Sequence, residues 1–145
     1  MTTAAADTKG IVVERTMPHP PEKVWRALTQ APLVEDWLMP NDFQPVVGHR
    51  FRFRMEPPPP GGWDGIVESE VLEVEPPRRL VYRWDTTGEG GLRTVVVYTL
   101  EPRDGGTHVR MEQTGFRPHE ELNRRGAAMG FTQFLERLER VAGTL

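Results

Sequence analysis

Toward the end of the chain, from about His119 to Leu145, apolar residues recur at Phe131, Phe134, Leu135, Leu138, Val141, Ala142 and Leu145. Steps of three and four place them on one face of a helix, with Glu136, Arg137, Glu139 and Arg140 on the other. The first half of this helix is different. Gly126-Ala127-Ala128-Met129-Gly130 supplies little to pack, and each glycine weakens a helix by about 1 kcal/mol relative to alanine. The expectation is that the C-terminal half is core and that the small-residue half, around Met129, faces the mouth of a cavity.

Upstream the period changes from helical to alternating. Arg50 to Met55 reads R-F-R-F-R-M, a half-buried strand with Phe51 and Phe53 inward. Further strand signals run over Gly10–Met17, Trp63–Val74, Leu80–Asp85, Leu92–Glu101 and Thr107–Thr114, with Phe43–Val47 as an added edge strand. Pro18, Pro20 and Pro21 end the first strand. Two short helices follow, one through Val24, Trp25 and Leu28, the other from Pro32 to Leu38, before Pro40 and Asn41. Consecutive strands with short turns predict an antiparallel meander of about six to seven strands. The fold class is α+β, with the helices gathered on one face of a curved sheet.

Hairpin closure predicts the register. Phe51 should lie beside Ser69, Ser69 beside Trp84, Trp84 beside Val96 and Val96 beside Gln113; the next row is Val71, Tyr82, Tyr98 and Met111. These apolar signals fall on one face together with the polar side chains of Ser69, Tyr82, Tyr98 and Gln113. On the outer face Arg52 meets Glu68 and Arg50 meets Glu70, so the arginine stripe reads as a solvated, paired surface.

Composition narrows the function classes. The 145 residues carry a net charge of -3 and no cysteine. That speaks against nucleic-acid and anionic-membrane partners, which need a basic field, and excludes thiolate chemistry. No stretch has the length and apolarity of a membrane span or signal peptide, so a cytoplasmic location is expected. Residues 1–9 read as a disordered tail and 10–145 as one domain. Ser69 is the only serine and sits in a strand without a nucleophile elbow; His19, His49, His108 and His119 are scattered. No metal or other cofactor, and no catalytic residue, is assigned.

The blocks "PPEKVWRALTQAPLVEDWL", "VVGHRFRFRM", "GIVESEVLEVEPPRRLVYRW", "TLEPRDGGTHVRMEQTGF" and "GFTQFLERLERV" resemble, in order, those of the SRPBCC (START/Bet v 1-like) superfamily, and more narrowly the branch of the activator of Hsp-90 ATPase homologue. The resemblance runs from Ile11 to Val141. It rests on Trp25, Trp37, Gly48, the Glu75-Pro76-Pro77 turn with Leu80, the Gly106-Thr107 turn and Gly130-Phe131. Trp is common in the family where Phe131 stands here, and His where Gln113 stands. The resemblance implies a helix-grip fold with a cavity between sheet and C-terminal helix, and the branch name brings stress response into view.

The leading functional expectation is non-catalytic binding of a small hydrophobic or aromatic molecule. Its candidate ligand-binding residues are Trp37, Phe43, Phe53, Trp63, Ser69, Tyr82, Trp84, Tyr98, Met111, Gln113 and Met129. The alternatives are a cyclase- or dehydratase-type enzyme acting on a polyketide-like carbonyl compound, with Tyr82, Tyr98 or a pocket-directed Glu as acid/base, and an interaction module whose surface stimulates a chaperone ATPase. In that last case the partner is a chaperone or a second copy of the chain.

Overall fold

The computed structural model describes residues 10–58, 60, 64–88 and 90–145. Six strands, β1 (Ile11–Met17), β2 (Arg50–Arg54), β3 (Ile66–Glu75), β4 (Arg79–Thr86), β5 (Arg93–Arg103) and β6 (Gly106–Thr114), form one antiparallel sheet in the order β1-β6-β5-β4-β3-β2. Two short helices, α1 (Pro21–Thr29) and α2 (Ala31–Trp37), follow β1, and the 23-residue helix α3 (Glu121–Gly143) ends the chain. Pro21 opens α1 and Pro32 lies in the first turn of α2, where the missing N–H has no intrahelical acceptor to lose.

Alternation along each strand sets the two faces of the sheet. In β2, Phe51 and Phe53 are buried between exposed arginines. In β5, Thr94, Val96, Tyr98 and Leu100 are buried. The outer-face pairs expected of β2 and β3 are present: Arg52 aligns with Glu68 at 3.0 Å and Arg50 with Glu70 at 3.8 Å.

Two sequence expectations change here. Phe43–Val47 forms no strand; the segment before β2 contributes a single bridge, Asn41 to Phe53. And β4 and β5 are offset by two residues from the expected pairing, so that Trp84 lies opposite Thr94 and Tyr82 opposite Val96. The loop closes early because Leu92 N donates to Thr86 Oγ1 at 2.7 Å, drawing the β5 strand back over β4. A shift by an even number keeps every side chain on its face, whereas a shift by one would invert the sheet. The pairings of β2 with β3, of Val71 with Tyr82 and of β5 with β6 are as expected.

Helix α3 covers the sheet with its C-terminal half. Phe131, Leu135, Leu138 and Ala142 are all buried, at the three- and four-residue spacing of one helical face. Arg15 Nε of β1 donates to Glu139 Oε1 at 2.8 Å and ties the same half to the sheet edge. Its N-terminal half is open: Leu122 is 81% and Met129 68% exposed. The fold's stability should follow this asymmetry. Leu135→Ala should destabilise by about 2–5 kcal/mol through lost burial and a residual void, while Leu122→Ala should stay within about 0.5 kcal/mol of the parent. Urea unfolding of the two variants checks this; equal effects would contradict the packing described.

Candidate functional site

Most of the inward aromatic residues form a closed core. Tyr82 and Tyr98 share a hydroxyl–hydroxyl hydrogen bond of 2.9 Å, in which one donates and the other accepts. Phe51, Phe53 and Trp37 lie around this pair, with ring centroids 5.5 Å (Phe51–Tyr82), 5.9 Å (Phe53–Tyr82) and 6.2 Å (Trp37–Tyr98) apart. Trp37 Nε1 donates to the Ala27 carbonyl at 2.8 Å. Phe43 packs edge-on against Phe51. Burial pushes the phenol pKa values of Tyr82 and Tyr98 above their ordinary value, so both are neutral hydroxyls around pH 7. Neither is poised as a general base.

A cavity of about 570 Å³ lies beyond this core, between the N-terminal half of α3 and the β4–β5 loop. Trp84, Phe131 and Phe134 give it an aromatic wall, with Trp84–Phe131 and Phe131–Phe134 centroids 5.3 and 5.4 Å apart. Met39, Met55, Leu92 and Ala127 add apolar surface, Thr86, Thr87, Gly88, Gly90 and Gly91 supply the rim, and Asn123, Gly126 and Gly130 form the helix side. A methyl group built on Gly126 would meet nothing within 4 Å, and one on Gly130 only Phe134 at 4.0 Å. Packing therefore does not require either glycine, and the space they leave belongs to the cavity. Among the described lining residues none carries a charge. The volume lies in the range of about 300–1,000 Å³ usual for small-molecule sites.

Gln113 also borders this cavity and has no exposed surface. Its Nε2 donates to Thr94 Oγ1 at 2.9 Å, and Thr94 Oγ1 in turn donates to the Trp84 carbonyl at 2.6 Å. Its Oε1 has no hydrogen-bond partner among the described residues.

The rim is fixed by polar contacts. Thr87 donates to both carboxylate oxygens of Asp64, at 2.6 and 2.8 Å. Arg117 reaches the Gly91 carbonyl at 2.7 Å and Glu120 Oε2 at 2.5 Å, while Glu120 Oε1 accepts from the Arg117 backbone at 2.7 Å. This clasp joins the β4–β5 loop to the start of α3. The Arg117 side-chain hydrogen bond holds the buried Glu120 carboxyl below the usual carboxylate range.

A larger cavity, about 820 Å³, opens on the outer face and is lined by Arg50, Arg52, Arg54, Glu68, Glu70 and neighbours. Its charges are largely paired, as in Arg52–Glu68 and Arg83–Asp85 (3.1 Å), and it has the character of a solvated surface.

Of the sequence candidates, Trp84 and Gln113 line the helix-side cavity. Trp37, Phe43, Phe53, Tyr82, Tyr98 and Met111 are core residues and are not among those that line it. Ser69 is buried, its hydroxyl without a partner, and borders the outer cavity instead. Met129 points to solvent rather than to the mouth: it lies two residues, about 200°, from buried Phe131 around the helix. Trp63 lies outside the described residues. Sequence reasoning missed Thr94, Leu92 and Phe134 as site residues; Thr94 faces inward in either register, and the two-residue offset of β4 and β5 brings it opposite Trp84.

A sheet curled against one long helix, with a cavity at their open end, is the helix-grip architecture of the SRPBCC (START/Bet v 1-like) superfamily. Within it, the chain belongs to the activator of Hsp90 ATPase homolog 1-like family, whose profile matches residues 18–143. It is similar to the crystal structure of MLL2253 from Mesorhizobium loti, at 48% identity and TM-score 0.86 over 94% of this chain and 98% of that one. The solution structure of Bacillus halodurans BH1534 shares the fold at 23% identity and TM-score 0.76, over 92% of this chain and 96% of that one. So does DynU16, a protein of the dynemicin biosynthetic locus, at 26% identity and TM-score 0.75; 93% of this chain covers 47% of that one. No curated protein matches the chain. Among the described residues, no helix is long and apolar enough to cross a membrane.

The Glu120 clasp makes a pH prediction. A carboxyl whose folded pKa is depressed adds stability above its unfolded value and loses it as pH falls through the folded one. Glu120→Gln should therefore lower the thermal midpoint at neutral pH, and its gap to the parent should narrow as pH drops below the ordinary carboxyl value of 4.5. A gap constant with pH, in thermal melts across that interval, would show that the ion pair is not what matters.

Proposed function

We propose that the protein binds a small hydrophobic or aromatic molecule in the cavity between α3 and the β4–β5 loop, without transforming it. The observation that carries this reading is the cavity's composition: aromatic and thioether walls, open space at Gly126 and Gly130, and one buried polar side chain, Gln113, at its edge. Two glycines within a helix disfavour it by about 0.5–1 kcal/mol each relative to alanine. Here no close neighbour requires them, and the space they leave is volume for a guest. Burial of the guest's apolar surface supplies the affinity, at about 25 cal/mol per Å² before the costs of association.

The lining supports binding more than catalysis. Its described residues offer apolar contact and amide and hydroxyl hydrogen bonds, and the two buried tyrosines are held neutral away from it. A chaperone-stimulating role would need a continuous exposed apolar patch. Among the described residues, the large exposed apolar side chains fall in separate places: Val12 on β1, Val46 and Val47 before β2, Leu72 on β3, and Leu122 and Met129 on α3.

A thermal-shift screen with aromatic compounds, followed by titration of the hits, tests the reading. Gly130→Ala should raise the midpoint without ligand, through helix propensity alone. Gly130→Leu should remain folded and weaken any hit at least about ten-fold by occupying the cavity. Arg52→Ala, on the outer face, should leave the hit unchanged. A hit that binds Gly130→Leu as well as it binds the parent would place binding elsewhere on the protein.

A further inference from the structure

We infer that the cavity selects ligands carrying a neutral O–H or N–H donor, and that the donor is received by Oε1 of Gln113. The inference deepens the binding reading above and rests on it.

The direction of the hydrogen-bond chain carries the argument. The Trp84 carbonyl can only accept, so at 2.6 Å the single hydroxyl proton of Thr94 is committed to it. Two oxygens at that distance with no proton between them would repel. Thr94 Oγ1 is thereby left as an acceptor for Gln113, and the amide must turn its NH₂ toward it, at 2.9 Å. The Gln113 oxygen is then the free end of the chain. It is fully buried, has no partner among the described residues and belongs to a residue that borders the cavity. The backbone does not compete for the Thr94 hydroxyl, because Thr94 N–H donates to Asp85 Oδ1 at 3.2 Å.

A buried amide oxygen without a donor is unfavourable, so a guest that brings one gains a bond against a poor reference state. A guest that brings only an acceptor places two lone pairs against each other. The described lining holds no charge to stabilise an ionised guest, which adds the requirement that the donor be neutral. The fitting chemistry is an apolar ring system with a hydroxyl or ring N–H on one edge.

The test uses the full chain and three probes of one shape: naphthalene, 2-naphthol and 2-methoxynaphthalene, titrated calorimetrically. The parent should bind 2-naphthol about ten-fold more tightly than 2-methoxynaphthalene, the value of one recovered hydrogen bond. The Gln113 side-chain NH₂ resonances should shift with 2-naphthol and hardly move with naphthalene. Gln113→Leu should bring the two substituted probes within about two-fold by loss on the naphthol side. Should Gln113→Leu not fold, Thr94→Val serves in its place. It frees the amide to turn its NH₂ toward the guest, so the naphthol preference should fall because the ether gains. If the parent binds all three probes equally, donor selection is overturned while the binding reading stands. If none of the three binds, both fall. An unchanged naphthol preference in Gln113→Leu, or in Thr94→Val, assigns the donor to another acceptor and overturns the role of Gln113.

Discussion

Helix α3 has 23 residues, and the four that are buried, Phe131, Leu135, Leu138 and Ala142, all lie C-terminal to Gly130. The rest of the structure depends on this one-sided attachment. A helix docked along its whole length would close the sheet and leave a solid interior. Docked by its C-terminal half, it brings Phe131 onto Trp84 and leaves open space at Gly126 and Gly130 in the preceding turns. The space beneath those turns is the cavity. The Arg117–Glu120 clasp and the Thr87–Asp64 contacts then fix the loops that rim it.

The aromatic core performs the complementary task. Tyr82 and Tyr98 meet each other at 2.9 Å, and Phe51, Phe53 and Trp37 fill in around them. These rings pack against one another, and none of them lines the helix-side cavity. The cavity is therefore confined to the open end, where Gln113 and Trp84 stand at the boundary between packed core and free space. Polar residues on the inner face thus serve two ends: the tyrosines complete the core, and Gln113 meets the cavity.

The sheet's faces were legible in the sequence because side-chain alternation is a local property. The R-F-R-F-R run and the facing glutamates of β3 carry their own phase, and the observed Arg52–Glu68 pairing follows from it. Loop closure was less legible. A segment such as TTGEGG admits several turn geometries, and the hydrogen bond from Leu92 N to Thr86 Oγ1 decides among them. The outcome moved β5 by two residues, kept its face, and replaced Val96 with Thr94 as the partner of Trp84. Polar character alone did not separate the two kinds of inward residue, since Tyr82 and Gln113 look alike until their partners are known. Met129 is the opposite case. Helical phase places it about 200° from Phe131, and the small residues around it, rather than Met129 itself, were the signal for the cavity.

What distinguishes this cavity chemically is that the buried polar group at its edge, the Gln113 amide, has a fixed sense. A histidine in the place of Gln113 could donate or accept according to its tautomer, and its charge would change near neutral pH. An amide does not titrate, but in isolation it can turn and offer either end. Here it cannot turn without cost, because Thr94 stands beside it with its only proton given to the Trp84 carbonyl. The order of acceptor, hydroxyl and amide therefore runs outward from the backbone of β4, through β5, to β6. It ends at the carbonyl oxygen of Gln113, a residue that borders the cavity. The strand register that placed Thr94 opposite Trp84 is thus what gives the site its polarity, and a two-residue difference in loop closure becomes a difference in the kind of molecule the cavity would hold.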